Sequence, residues 1–205
     1  MRIDPESSTA VVGTRPPAGD DRARRALRLH CPAGNVAVEF ALAVPVLLFL
    51  MLGSAEMGRF VLLNQKMDRV ATTVSDLVSR AETISESQIA DILTAADEVA
   101  DPFDLADLGV VIVTSITNTD GSGPVIAWQR SGAGTYSAAS KLGAEGDTPA
   151  LPPDFLVREG ETAIVSEVYY DFAPFLSEMI VEPQVVYRSS RHRPRLGTLE
   201  TVGAG

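Results

Sequence analysis

The chain has one long apolar segment near its N-terminus, within GNVAVEFALAVPVLLFLMLGSAEMGRF at residues 34–60. From Val36 to Ala55 there are 20 residues, and Glu39 is the only charged one. That is about the length at which an apolar helix crosses a bilayer. A cleaved secretory signal has a shorter apolar core and a small-residue cleavage site after it, whereas this run continues as VLLNQKMDRV. The sequence therefore predicts a transmembrane helix over 35–60 that stays in the mature protein.

The charges on either side of this segment predict its orientation. Residues 22–28, RARRALR, hold four arginines and no acid, whereas residues 64–187 carry 6 basic and 20 acidic side chains. Basic residues accumulate on the cytoplasmic side of a span. We therefore expect a cytoplasmic, disordered basic leader over 1–34 and a head over 61–195 on the other side of the membrane.

The residues after the span predict a head with helices first and strands later, which is an α+β fold with a small antiparallel sheet. Ser85 is a candidate cap for a second helix over 85–100. Strands are predicted at 108–117, 124–130, 161–172 and 182–190, with turn residues NTDGSG between the first two and a flexible tail at 196–205. Before them, apolar residues alternate at spacings of four and three, as in a heptad stripe that packs either on the chain's own head or on neighbouring subunits. The stripe consists of Leu63, Met67, Val70, Val74, Leu77, Ala81 and Ile84.

The residue inventory argues against an enzyme. The only histidines, His30 and His192, would lie on opposite sides of the membrane, and Cys31 is the single cysteine. We therefore expect no catalytic centre, no metal or cofactor site and no small-molecule substrate. The excess of acid over 64–187 also disfavours nucleic acid, since phosphate contacts need a basic face.

The start of the apolar segment resembles a prepilin-type processing site. Gly34 follows a basic leader, and Glu39 would be the fifth residue of a chain cut between Gly34 and Asn35. The longer stretch from Gly34 to Arg59 resembles the N-terminal signature of TadE-like and TadG-like proteins of bacterial tight-adherence (Flp) pilus systems: Ala-Val-Glu-Phe-Ala, a later proline, and Glu-x-Gly-Arg at the outer end. Weaker similarities continue downstream, in the VTSI strand, the lone Trp128 and the Glu-Val-Tyr-Tyr sequence that starts at Glu167.

This resemblance implies a non-enzymatic minor pilin or pseudopilin of the inner membrane, with a periplasmic head. Its partners would be a prepilin-type peptidase, other pilin-like subunits and the pilus secretion machinery. Glu39, next to Phe40, would pair with the terminal amine of a neighbouring subunit and set the subunit register. Two alternatives remain open from the residues: Glu39 reaches water at the cytoplasmic interface, or the chain is an uncleaved membrane scaffold that docks other pilus components.

Other polar or helix-breaking residues around the span have simpler structural interpretations. Pro45 removes one helical hydrogen bond, which a membrane helix tolerates. Glu56 and Arg59 are three residues apart near the outer end, where a local ion pair is worth a few tenths of a kcal/mol, ~0.2–0.5. The arginines near the C-terminus belong either to a solvated tail or to a surface for anionic lipid or an acidic partner. They are Arg188, Arg191, Arg193 and Arg195.

Overall fold

The computed structural model describes Gly13 and residues 32–119, 121–175 and 182–203. Most of the predicted leader, including the basic cluster and Cys31, lies outside the described residues, as do the last two residues of the predicted tail. The chain divides into two compact units, Met1–Leu48 and Phe49–Gly205.

A single long helix, α1, runs from Pro32 to Ser79 and includes Pro45 without interruption. Its apolar side chains stay exposed both in the part that belongs to the first unit and in the first turns of the second. The large exposed residues up to Leu52 are Val36, Val38, Phe40, Leu42, Val46, Leu47, Leu48, Phe49, Leu50, Met51 and Leu52. The predicted apolar helix is confirmed, and its length and composition suffice to cross a membrane.

Further along α1, the predicted stripe packs on the chain's own head. Leu63, Met67, Val70 and Val74 are buried in one cluster with side chains of the sheet. Leu77 differs, since it is 41% exposed while Val78 is buried. A straight helix has 3.6 residues per turn, so a stripe with a period of 3.5 rotates by about 20° per heptad. At Leu77, two heptads after Leu63, the stripe has therefore rotated by about 40° and left the buried face.

A second helix follows a short strand. Strand β1 is Ile84–Ser85, and α2 is Glu86–Ala100, close to the predicted 85–100. The Ser85 hydroxyl accepts a hydrogen bond from the Gln88 amide, and the Gln88 side chain accepts one from the Ser85 amide, which forms a capping box. The buried face of α2 joins the same cluster as α1. A one-turn helix, α3 (Leu105–Leu108), leads into the sheet.

The sheet has four antiparallel strands in the order β3-β2-β4-β5. Each lies within two residues of a predicted strand, so the predicted α+β fold is confirmed. The strands are β2 (Gly109–Thr117), β3 (Val125–Gly132), β4 (Thr162–Phe172) and β5 (Gln184–His192). A short strand, β6 (Val202–Gly203), pairs in parallel with β1.

The two faces of the sheet have different covers. The helices cover the face that carries Val113 and Val168, which share the large cluster with α1. The chain between β3 and β4 covers the other face, where Leu142 and Val157 pack on Val165. Since both faces of the central strands are covered, β2 and β4 are buried along almost their whole length instead of alternating between buried and exposed residues.

The C-terminal residues differ from the predicted flexible tail. Leu199 is buried, and its carbonyl oxygen accepts hydrogen bonds from Trp128 Nε1 at 2.8 Å and from Ser115 Oγ at 2.9 Å. Two buried donors of the sheet therefore depend on this segment. Arg193, just before it, is also held, because its guanidinium donates to the Leu156 carbonyl at 3.0 Å.

Candidate functional site

The predicted processing and register residues lie in the first two turns of α1. The helix begins at Pro32, so the backbone at Gly34 and Asn35 is helical. Glu39 lies four residues after Asn35, which places the two positions on one side of the helix. The Glu39 side chain is exposed, and Phe40 next to it is 68% exposed. Apolar side chains in this part of the helix are thus available to lipid or to other helices.

The predicted ion pair at the C-terminal end of the apolar run is present and makes more contacts than the sequence suggested. Arg59 Nη1 lies 3.4 Å from Glu56 Oε1. The same guanidinium nitrogen donates to the Ala173 carbonyl at 3.1 Å, and the Phe175 amide donates to Glu56 Oε2 at 3.1 Å. Glu56 is only 4% exposed. We call these four residues the membrane-proximal clamp, because two residues of α1 hold the chain that follows β4.

Aromatic rings surround the arginine of the clamp. The Arg59 guanidinium carbon lies 4.3 Å from the ring centre of Phe175 and 5.1 Å from that of Phe172. Phe60 and Phe172 meet edge to face with their ring centres 5.2 Å apart. Cation–π contacts of this kind strengthen when water is excluded. The clamp, with Phe60 and Phe172 packed beside it, therefore groups a buried carboxylate, a cation whose side chain is 30% exposed and three phenylalanine rings.

A second polar centre, around Glu167, fixes the chain between β3 and β4 on the sheet face that this chain covers. Glu167 is fully buried in β4. Its Oε1 accepts hydrogen bonds from the Lys141 amide at 3.0 Å and the Tyr187 hydroxyl at 2.9 Å, while Oε2 accepts one from Ser140. The Tyr169 hydroxyl lies 3.3 Å from Oε1 and 3.0 Å from the Ala139 carbonyl. A buried carboxylate is tolerated when its lone pairs are satisfied in this way.

The tyrosines beside Glu167 stay neutral well above pH 7. Burial, assisted by the nearby carboxylate, raises the pKa of Tyr187 to about 12, and the same causes raise the pKa of Tyr169 further. The Lys141 ammonium lies 3.6 Å from the centre of the Tyr187 ring and makes a cation–π contact with it. Because Glu167 accepts hydrogen bonds from Ser140 and Lys141, this centre fixes the chain between β3 and β4 on the sheet.

The described residues bring one serine and one histidine together. Ser75 Oγ lies 2.8 Å from His192 Nδ1. The serine is fully buried, and its hydroxyl also lies 2.8 Å from the Ala71 carbonyl oxygen, a common bond between a helical serine and the preceding turn. A buried hydroxyl in this position joins α1 to the end of β5. In the part of the chain that the structure describes, no group of three or more His, Cys, Asp or Glu residues could hold a metal ion.

Comparison with known proteins gives one match. The family model of TadE-like proteins matches residues 34–75. The N-terminal segment is TadE-like. This TadE-like segment begins at Gly34, contains the whole apolar run and the Glu56–Arg59 pair, and ends at Ser75. No curated protein matches the chain, and no solved structure matches it either.

The match confirms the TadE-like resemblance at residues 34–75, and the weaker similarities further downstream lie outside the matched residues. The matched residues include the exposed apolar part of α1, which is long and apolar enough to cross a membrane. Sequence reasoning noticed the Glu-x-Gly-Arg and Glu-Val-Tyr-Tyr sequences but missed the contacts of Glu56 and Glu167. A carboxylate inside an otherwise apolar strand was the available signal for Glu167.

Proposed function

We propose that this chain is a non-enzymatic minor pilin that supports assembly of a tight-adherence pilus and is processed between Gly34 and Asn35. The observation that carries the proposal is the TadE-like match, which starts at Gly34 and continues into an exposed apolar helix with Glu39 near its beginning. The proposed location is the bacterial inner membrane, with the leader in the cytoplasm and the head in the periplasm.

Processing would create a positive charge that can pair with Glu39 of a neighbouring subunit. Cleavage after Gly34 creates an α-amine at Asn35, whose usual pKa of about 8 keeps it largely protonated at neutral pH. A lone carboxylate in a membrane is costly, and so is a lone ammonium, but the two tolerate burial as a pair. An amine of one subunit that meets Glu39 of the next would therefore define one register between neighbouring helices.

The head would remain attached to its helix during assembly. The buried face of α1, with Leu63 and Met67, belongs to the same cluster as the sheet, and the clamp adds polar contacts at Glu56 and Arg59. A head fixed in this way moves with the part of α1 that follows Glu56, which suits a subunit that is handed to pilin-like neighbours and the secretion machinery. The peptidase would act on the opposite, cytoplasmic end.

The intact mass of the protein extracted from membranes of its own host tests the proposal. A chain that begins at Asn35 is expected, and Gly34→Ala should leave the leader attached. Gly58→Ala is the matched control, because it adds the same methyl group to the same helix at a position where a Cβ meets nothing within 4 Å. A wild-type chain that still begins near Met1 would contradict processing and leave a fixed membrane scaffold as the explanation.

A further inference from the structure

The membrane-proximal clamp leaves one large aromatic ring uncovered. Phe175 is 82% exposed although its amide is bound by Glu56 and its ring contacts Arg59. We propose that Phe175 rests in the interfacial region of the membrane, so that the head contacts lipid at a second point beside α1. The inference rests on the proposed insertion of α1 into the membrane.

The length of the apolar run sets the depth of this residue. Val36–Ala55 contains 20 residues. At about 1.5 Å per residue they span about 30 Å, the thickness of the hydrocarbon core. The next residue, Glu56, therefore lies at the boundary between hydrocarbon and headgroups. Since the Phe175 amide lies 3.1 Å from Glu56 Oε2, the backbone at Phe175 lies at that same boundary.

The side chains around Phe175 fit this level of a membrane. Peptide segments that lie in a membrane interface bury Trp, Phe and Leu side chains at the boundary between headgroups and acyl chains, and arginines there keep their charge near water while their stems lie against apolar groups. Phe60, Phe172 and Phe175 are grouped with Arg59, whose side chain is 30% exposed. The exposed Phe175 ring therefore lies beside Glu56 and Arg59, just after the last residue of the predicted apolar run.

The charges at this end of the sheet indicate which lipid fits. Asp171 and Glu182 are exposed close to the end of β4 and the start of β5. Their carboxylates would repel anionic headgroups, while Arg59 is already engaged by Glu56 and the Ala173 carbonyl. The surface therefore suits zwitterionic lipid, with the ring placed among glycerol groups and upper acyl carbons.

Depth-dependent fluorescence quenching in vesicles tests the inference. The full chain with Cys31→Ser is given one new cysteine, either Phe175→Cys or Ala173→Cys, labelled with an environment-sensitive nitrobenzoxadiazole dye and reconstituted in phosphatidylcholine vesicles. Ala173→Cys probes the same level and leaves the Phe175 ring in place. The control is Leu156→Cys, which replaces an apolar residue that is 70% exposed but lies beyond the other end of β5, where its carbonyl binds Arg193.

We expect nitroxide lipids labelled at a shallow acyl position to quench dye at 173 and 175 at least threefold more than dye at 156. Equal quenching at all three positions in vesicles that carry the protein overturns the inference. Weak lipid quenching that changes when unlabelled protein is added also overturns it, because a second copy then covers the ring. Failure of the protein to float with the vesicles overturns the proposed membrane insertion itself, which separates the two failures.

Discussion

Replacement of Glu167 should destabilise the head by an amount that depends on what the new side chain can accept. In the native structure, Oε1 takes bonds from the Lys141 amide and Tyr187, and Oε2 takes one from Ser140. Glu167→Gln keeps an oxygen at the first position and loses only the charge. Ser140 can rotate to accept from the new amide. We expect a cost of about 1 kcal/mol for this variant.

Glu167→Ala should cost about 3 kcal/mol. In this variant the Tyr169 hydroxyl can still donate to the Ala139 carbonyl. The Tyr187 side chain is only half buried, so its hydroxyl can donate to water instead. The Lys141 amide has no such replacement acceptor, and a buried unsatisfied donor costs about 1–3 kcal/mol. Loss of the side-chain carbons and the space they leave account for the remainder.

Thermal unfolding of the detergent-solubilised full chain measures both effects. The single tryptophan, Trp128, is buried on the helix-covered face and reports unfolding by fluorescence. For a unit of this size about 1 kcal/mol shifts Tm by roughly 2–4 °C, so Glu167→Ala should lower Tm by roughly 6–12 °C. Glu98→Gln, a change at an exposed carboxylate on α2, should leave Tm unchanged. A Tm for Glu167→Ala equal to that of Glu98→Gln would refute the assigned role of Glu167.

Three further predictions use the same unfolding assay. Met67→Ala should cost about 2–5 kcal/mol because the side chain is fully buried, whereas Leu62→Ala, at a 41% exposed position of the same helix, should cost far less; equal losses would argue against the buried face. Because the pKa of Tyr187 is raised, its contribution to the free energy of unfolding is fully present below pH 10 and is lost as pH rises through about 12. Tyr187→Phe should therefore make the loss of stability at high pH smaller, and an unchanged loss would assign it to other groups. Gly197→Ala should lower Tm because the φ of Gly197 is +70° and a Cβ there would collide with a backbone carbonyl. Gly203→Ala, where a Cβ would make ordinary contacts, should leave Tm unchanged. Equal Tm values for the two variants would mean that the tail is not packed as described.

Local patterns predicted the elements of the fold well. Ser85 and the residues after it contain both halves of a capping box, so the start of α2 could be read from adjacent positions. The strands were visible because β-branched runs are bounded by turn residues. The stripe on α1 was correct from Leu63 to Val74 and failed at Leu77, because a heptad spacing and a straight helix drift apart.

The contacts that define the candidate sites were not predictable in the same way. Glu56 and Phe175 are 119 residues apart, and the bond between Trp128 and the Leu199 carbonyl spans 71 residues. No local periodicity encodes such pairs. The residues at 196–205 were predicted to be flexible, but the buried Trp128 and Ser115 donors need a carbonyl, which only the folded arrangement of the sheet reveals.

The most direct test of the central claim is mass spectrometry of the protein in sheared, purified pili. Our account predicts that a minor fraction of filament subunits is this chain, beginning at Asn35, and that Glu39→Gln reduces its incorporation while Glu98→Gln does not. A filament fraction that lacks the chain, with all of it left in the membrane and still carrying its leader, would contradict the account.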